Sequence, residues 1–84
     1  MEYYVYVLKS IEVERHYVGF TKNLYRRLKQ HNAGYNVSTK PYRPWRILFF
    51  EKYQSKEEAL TREKFLKSGQ GRIYIKNRPR GATE

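Results

Sequence analysis

The sequence predicts an α+β domain: a three-stranded antiparallel sheet flanked by helices. Three observations carry that prediction. The stretches YYVYVL, HYVGF and RILFFEKY are dense in aromatic and β-branched residues at a length suited to strands. The stretches LYRRLKQH and KEEALTREKFLK space apolar residues as helices do. The charged connection IEVER, between the first two strand candidates, suits a hairpin, and a hairpin is antiparallel.

Each element follows in order. Residues 3 to 8 are apolar, β-branched or aromatic throughout, so the first strand is expected to be at least partly covered on both faces. Residues 16 to 20 return as the second strand, where Gly19 marks a place that a side chain would obstruct. Thr21 is the expected N-cap of the first helix, and Gly34 is its expected C-terminal signal. Residues 35 to 46 are polar and hold Pro41 and Pro44, which predicts a loop. Residues 46 to 53 form the third strand. Ser55 and Glu58 offer a capping box for a second helix running to about Lys67, with Ala59, Leu60 and Leu66 as its apolar arc. GQGRIYIKNRPR adds a short helix or an extended piece. Residues 1 to 78 are read as one domain and 79 to 84 as a basic, disordered tail.

At 84 residues the core is small, so aromatics must carry much of the packing; they make up 17% of the chain, nine of them tyrosines. There is no cysteine, which excludes disulfides, thiolate metal sites and cysteine catalysis. The N-terminal MEYYVYVLKS lacks a basic leader region, and no apolar run approaches the roughly 20 residues of a membrane span. A soluble cytoplasmic protein with no membrane partner is therefore expected. Lysine and arginine number 18 against 8 acids, a net charge of +10 that favours a polyanion, DNA or RNA. The charge is spread along the chain, as on a folded basic surface.

Several ionisable residues fall on the wrong side of their helices. Leu24 and Leu28 should face the core, and at helical spacing Arg27 and His31 fall beside them. Glu63 falls inside the apolar arc of the second helix, where a lone carboxylate is costly unless paired, protonated or bound to a metal. A hairpin would also bring Tyr6 and Tyr17 together on one face of the sheet. Each residue has a plain explanation: packing tyrosines, a snorkelling arginine, a structural histidine, a glutamate paired with Arg62, Lys67 or Arg27. As a set, two phenols, a guanidinium, an imidazole and a carboxylate suit phosphodiester chemistry. Glu63 can hold a hard cation, Arg27 a phosphate, and a phenol or His31 can move a proton from water.

In order along the chain, YVY (4–6), YVG (17–19), NLYRRLKQHN and ALTREKFLKSG resemble the GIY-YIG nuclease superfamily, in particular its small single-domain bacterial members. The resemblance runs from Tyr3 to about Lys76. The triplets depart from Gly-Ile-Tyr and Tyr-Ile-Gly but keep strand character and both tyrosines. The resemblance implies active-site phenols at Tyr6 and Tyr17, a phosphate ligand at Arg27, and proton transfer or phosphate binding at His31. It also implies one Mg²⁺ or Mn²⁺ on Glu63.

The expected activity is metal-dependent hydrolysis of DNA phosphodiesters, with DNA repair or recombination as the setting by family. The alternative is a non-catalytic nucleic-acid-binding protein that keeps the fold. A third reading is an accessory subunit whose protein partner supplies target choice. With no attached DNA-binding module, binding falls to the basic surface: Lys22, Arg26, Lys40, Arg43, Arg46 and Arg72. Such binding should be salt-sensitive and weak in sequence preference, favouring single-stranded or branched substrates. Tyr35, Tyr42 and Trp45 are candidates for stacking on unpaired bases.

Overall fold

The structure is a computed structural model of the chain and describes residues 2–78. The expected tail over 79–84 lies outside the described residues. The elements are β1 (Tyr3–Ser10), β2 (His16–Thr21), α1 (Leu24–Ala33), β3 (Trp45–Tyr53), α2 (Lys56–Lys67) and α3 (Gly69–Lys76), with a short 3₁₀ turn at Lys40–Tyr42. The sheet is antiparallel in the order β2-β1-β3.

The period-two alternation of β1 explains the layering. Val5 and Val7 point to one side, where they pack with Val18, Phe49, Ala59, Leu66 and Ile75 under α2 and α3. Tyr6 and Leu8 point to the other, where they pack with Leu24 and Trp45 under α1. The central strand is therefore covered on both faces, as its unbroken apolar run predicts. Opposite β1, a register shift between Val7 and Leu8 leaves Leu48 of β3 without a partner. No helix among the described residues is long and apolar enough to cross a membrane.

Three details differ from the sequence expectation. The cap of α1 is Asn23, not Thr21: Asn23 Oδ1 accepts from the backbone N–H of Arg26 at 3.1 Å. Thr21 still belongs to β2, and its hydroxyl serves the turn by accepting from Asn23 N at 3.1 Å. Leu60 is 41% exposed and lies outside the buried arc of α2. That arc is set by Ala59, Arg62, Glu63 and Leu66, an i, i+3, i+4, i+7 spacing that two charged residues hide from a search for apolar ones. Finally, β3 begins at Trp45, a residue earlier than expected, because Asn32 of α1 clamps it. Trp45 N donates to Asn32 Oδ1 at 2.6 Å, and Asn32 Nδ2 donates to Trp45 O at 3.1 Å.

GQGRIYIK resolves as the helix α3, capped by Ser68, whose Oγ accepts from Gly71 N at 3.2 Å. Gly34 closes α1 in the left-handed region at φ 86°, where its backbone N–H reaches back to the last turn. Ser55 caps α2 by accepting from Glu58 N.

Candidate active site

The site grows out of an edge strand and a missing side chain. β2 lies at the edge of the sheet, with Gly19 directly opposite Tyr6 on β1. A methyl group at Gly19 would overlap Cζ and Oη of Tyr6. The glycine thus lets the Tyr6 ring lie across the edge strand. Tyr17 stands two positions before Gly19 on the same face, with its ring 6.4 Å from that of Tyr6. The hairpin joins the two phenols as the alternation predicts.

α1 supplies the next two groups. Arg27 Nε donates to Tyr6 Oη at 3.4 Å, and Arg27 Nη1 donates to Gln30 Oε1 at 3.0 Å. Both partners are neutral. Arg27 has no carboxylate partner among the described residues, and it lines an open hollow with Lys22, Asn23 and Arg26. His31, one turn on, is fully buried. Its Nε2 lies 2.9 Å from Tyr6 Oη, its Nδ1 lies 2.8 Å from Thr39 Oγ1, and its ring packs 4.9 Å from the ring of Tyr17. The imidazole does face inward as expected, but it reaches Tyr6 and Thr39 instead of lining an open phosphate pocket. The phosphate-holding role expected for it is closed off by that burial.

Hydrogen-bond accounting sets the direction of this chain. Tyr6 is 1% exposed, and its described partners are His31 and a donor, Arg27. A buried hydroxyl proton needs an acceptor, so His31 Nε2 must be bare and Tyr6 must donate to it. Nδ1–H then donates to Thr39 Oγ1, whose own proton points to Asn36 O at 3.4 Å. Thr39 is itself fully buried and held by Trp45, whose Nε1 donates to Thr39 O at 2.9 Å.

The electrostatics follow from burial. Desolvation, with Arg27 nearby, pushes the His31 pKa down to about 4, so the ring is neutral at pH 7. Burial pushes the Tyr6 phenol up to about 12; the Arg27 hydrogen bond opposes that, while Tyr17 and Glu63 add to it. Glu63 is largely covered, and its Oε2 meets Lys67 Nζ at 3.1 Å, the pairing one turn on.

No group of three or more His, Cys, Asp or Glu that could hold a metal ion occurs among the described residues. A lone carboxylate still fits a hard divalent cation that keeps most of its water and gains oxygens from a bound phosphate. Among the described acids, Glu63 is the one whose charge bears on Tyr6.

The basic residues expected to bind nucleic acid separate into groups. Lys22 and Arg26 share the hollow of Arg27. Arg72 lines a cleft beside Tyr17. Lys40 and Arg43 line a different hollow with Asn32 and Pro44. Arg46 pairs in register with Lys9 on β1. Of the stacking candidates, Tyr35 is exposed, Trp45 is core, and Tyr42 lies under the Arg15 guanidinium at 4.1 Å. Sequence reasoning missed Thr39, which sits in a polar loop with nothing local to mark it. It also missed the clamp made by Asn32, whose only signal is its place beside His31.

A family model described as the GIY-YIG catalytic domain matches residues 2–77. The chain belongs to the GIY-YIG family, a nuclease superfamily that acts on nucleic acid in general and whose members generally use a divalent metal. Within it, the chain is similar to the UPF0213 proteins. It is 40% identical over 65 residues to one from Clostridium perfringens, covering 76% of this chain and 69% of that one. It is 38% identical over 63 residues to one from Listeria monocytogenes, covering 74% and 70%. The solution NMR structure of a UPF0213 protein from Bacillus halodurans superposes with a TM-score of 0.55 at 31% identity, covering 89% of this chain and 82% of that one.

Proposed function

We propose that this protein is a metal-dependent endonuclease that hydrolyses DNA phosphodiesters, with a preference for single-stranded or branched substrates. The observation that carries the reading is Arg27: a guanidinium held by the phenol of Tyr6 and the amide of Gln30, with no carboxylate partner among the described residues. Arg27 binds the scissile phosphate and balances the charge that grows on it in the transition state. Lys22 and Arg26 extend that positive field along the strand. Tyr17, partly exposed, meets the open face of the site.

In the reaction the oxygen of water bonds to phosphorus while the opposite P–O ester bond breaks. The proton of that water is accepted by a phenol, and Tyr6 can pass its own to neutral His31 Nε2, 2.9 Å away. His31 therefore works through Tyr6. Glu63 would hold a Mg²⁺ or Mn²⁺ ion, which supplies Lewis-acid stabilisation of the leaving oxygen.

The test is a panel of labelled single-stranded, duplex, flap and branched DNA and single-stranded RNA. Each is incubated with Mg²⁺, Mn²⁺ or EDTA, beside Glu63→Ala. Cutting that requires metal and Glu63 is expected, strongest on unpaired or branched DNA. Binding without cutting by folded protein would replace the enzyme with a nucleic-acid-binding protein on the same fold. Equal cutting by Glu63→Ala would remove the metal from that residue.

A further inference from the structure

A cleft of 720 Å³ opens between β2 and the α2–α3 pair, lined in part by Tyr17 and separate from the hollow of Arg27. Its floor is apolar, from Val18, Leu66 and Ile75. Its rim carries Arg15, Lys67, Arg72 and Lys76. Arg72 and Lys76 stand one turn apart on α3, a like-charge spacing that is unfavourable in an isolated helix. Neither has a carboxylate partner among the described residues. The acid in the cleft, Glu14, lies 3.3 Å from Lys9.

Two of its lining residues tie the cleft to the catalytic groups. Tyr17 belongs to both, and Lys67 holds Glu63 at 3.1 Å. The cleft therefore borders Tyr17 and the lysine partner of Glu63, and the hollow of Arg27 is a second basic depression. An apolar floor under a cationic rim suits a polynucleotide strand, with sugars on the floor and phosphates on the rim.

We propose that this cleft is a second phosphodiester-binding subsite, which holds the nucleic-acid strand flanking the scissile phosphate through Arg72, Lys76 and Lys67. The proposal rests on the nuclease reading, with Tyr17 as the residue shared by the cleft and the catalytic set. The subsite explains why a catalytic module so small carries like charges together on its last helix. A strand that fills both depressions is fixed on each side of the reacting phosphate, and this positions it for attack.

The test is metal-free binding. A fluorescein-labelled hexathymidylate is titrated in EDTA, followed by anisotropy at several salt concentrations. The parent is compared with R72A/K76A and with K40A/R43A, which removes the same charge from the separate hollow. R72A/K76A should bind about tenfold more weakly, and its salt slope should fall by about 1.4, from two lost contacts at about 0.7 each on a single strand. K40A/R43A should lose less than about threefold by the same phosphate-contact logic. In ¹⁵N-labelled parent protein the oligonucleotide should shift the amides of Val18 and Ile75 and leave that of Lys40 in place.

Equal losses in the two double variants would overturn the subsite, because net charge alone would then account for binding. So would competition by poly-glutamate as effective as by unlabelled oligonucleotide. No cleavage occurs in this assay, so a protein that never cuts still decides the matter. Conversely, a cutting enzyme whose R72A/K76A variant binds like the parent loses the subsite and keeps the nuclease.

Discussion

Arg27 and Arg62 are both half-buried helix arginines, and the structure uses them in opposite ways. Arg62, on α2, makes a two-pronged pair with Glu51 of β3, at 2.9 and 3.1 Å, and its guanidinium lies over the rings of Phe65 and Tyr74. Its charge is consumed within the fold. Arg27, on α1, is held by Tyr6 and Gln30, which orient it without neutralising it. The two glutamates divide in parallel. Glu51 serves both Arg62 and the Tyr53 hydroxyl, whereas Glu63 has one lysine on a flexible stem. The bidentate carboxylate neutralises Arg62, whereas the neutral partners of Arg27 leave its charge uncompensated.

The comparison can be broken most directly by removing both arginines in turn. Arg27→Ala should reduce cleavage by about 10²–10³-fold, the usual loss when a charge-stabilising donor is removed, while melting close to the parent. Arg62→Ala should do the reverse: it leaves Glu51 partly buried without its partner and should lower stability by about 1–3 kcal/mol, with folded protein still able to cut. Thermal melts and single-turnover rates on both variants decide it. If Arg62→Ala loses cleavage while folded, the division between the two faces fails.

A smaller test concerns the glycine that makes room for the phenol. Gly19→Ala places a methyl group against Cζ and Oη of Tyr6, and an overpacked core typically costs about 1–3 kcal/mol. The Tyr6 ring must move off the edge strand, so cleavage should fall even at temperatures where the variant is folded. Circular dichroism melts and cleavage measured on the same preparation separate the two effects.

The relay offers a subtler one. Thr39→Val keeps the shape and removes the acceptor for His31 Nδ1–H, leaving a buried donor unpaired at about 1–3 kcal/mol. The rate should drop by about tenfold, within the range for a disturbed proton-transfer group, and Thr39→Ser should restore it. Imidazole ¹⁵N shifts of the parent should report Nδ1–H. An Nε2–H signal would reverse the chain drawn through Tyr6.

The last test is of pH dependence. His31 is neutral in the fold down to about pH 4, whereas in the unfolded chain it takes a proton near its ordinary 6.5. The unfolded state thus binds more protons between these values, and the contribution of His31 to stability is lost as pH falls from 6.5 toward 4. His16, also pushed down by burial and by Lys9, acts in the same direction. An NMR titration should leave the His31 ring unprotonated at pH 5.5. Protonation near 6.5 would mean that the ring is open to water.

Much of this was legible in the sequence because it depends on local rules. Strand alternation put Tyr6 and Tyr17 on one face, and helical spacing turned Arg27, His31 and Glu63 inward. The cap of α1 was misplaced because Thr21 and Asn23 are both good caps, and only the extent of β2 chooses between them. Leu60 was misplaced because Arg62 and Glu63 occupy the buried stripe, so that counting apolar residues rotates the helix. Thr39 was invisible, being eight residues beyond His31 in a loop whose path no periodicity describes.

The sequence by itself determined the element order, the inward set of ionisable residues and the basic charge, since periodicity and composition are properties of neighbouring residues. The tertiary structure decided which of those residues meet. It gave Arg62 a carboxylate and left Arg27 with neutral partners. It also buried His31 behind Tyr6 and opened a cleft beside Tyr17. These outcomes depend on distances between residues far apart in the chain, which only the packing of the helices on the sheet sets.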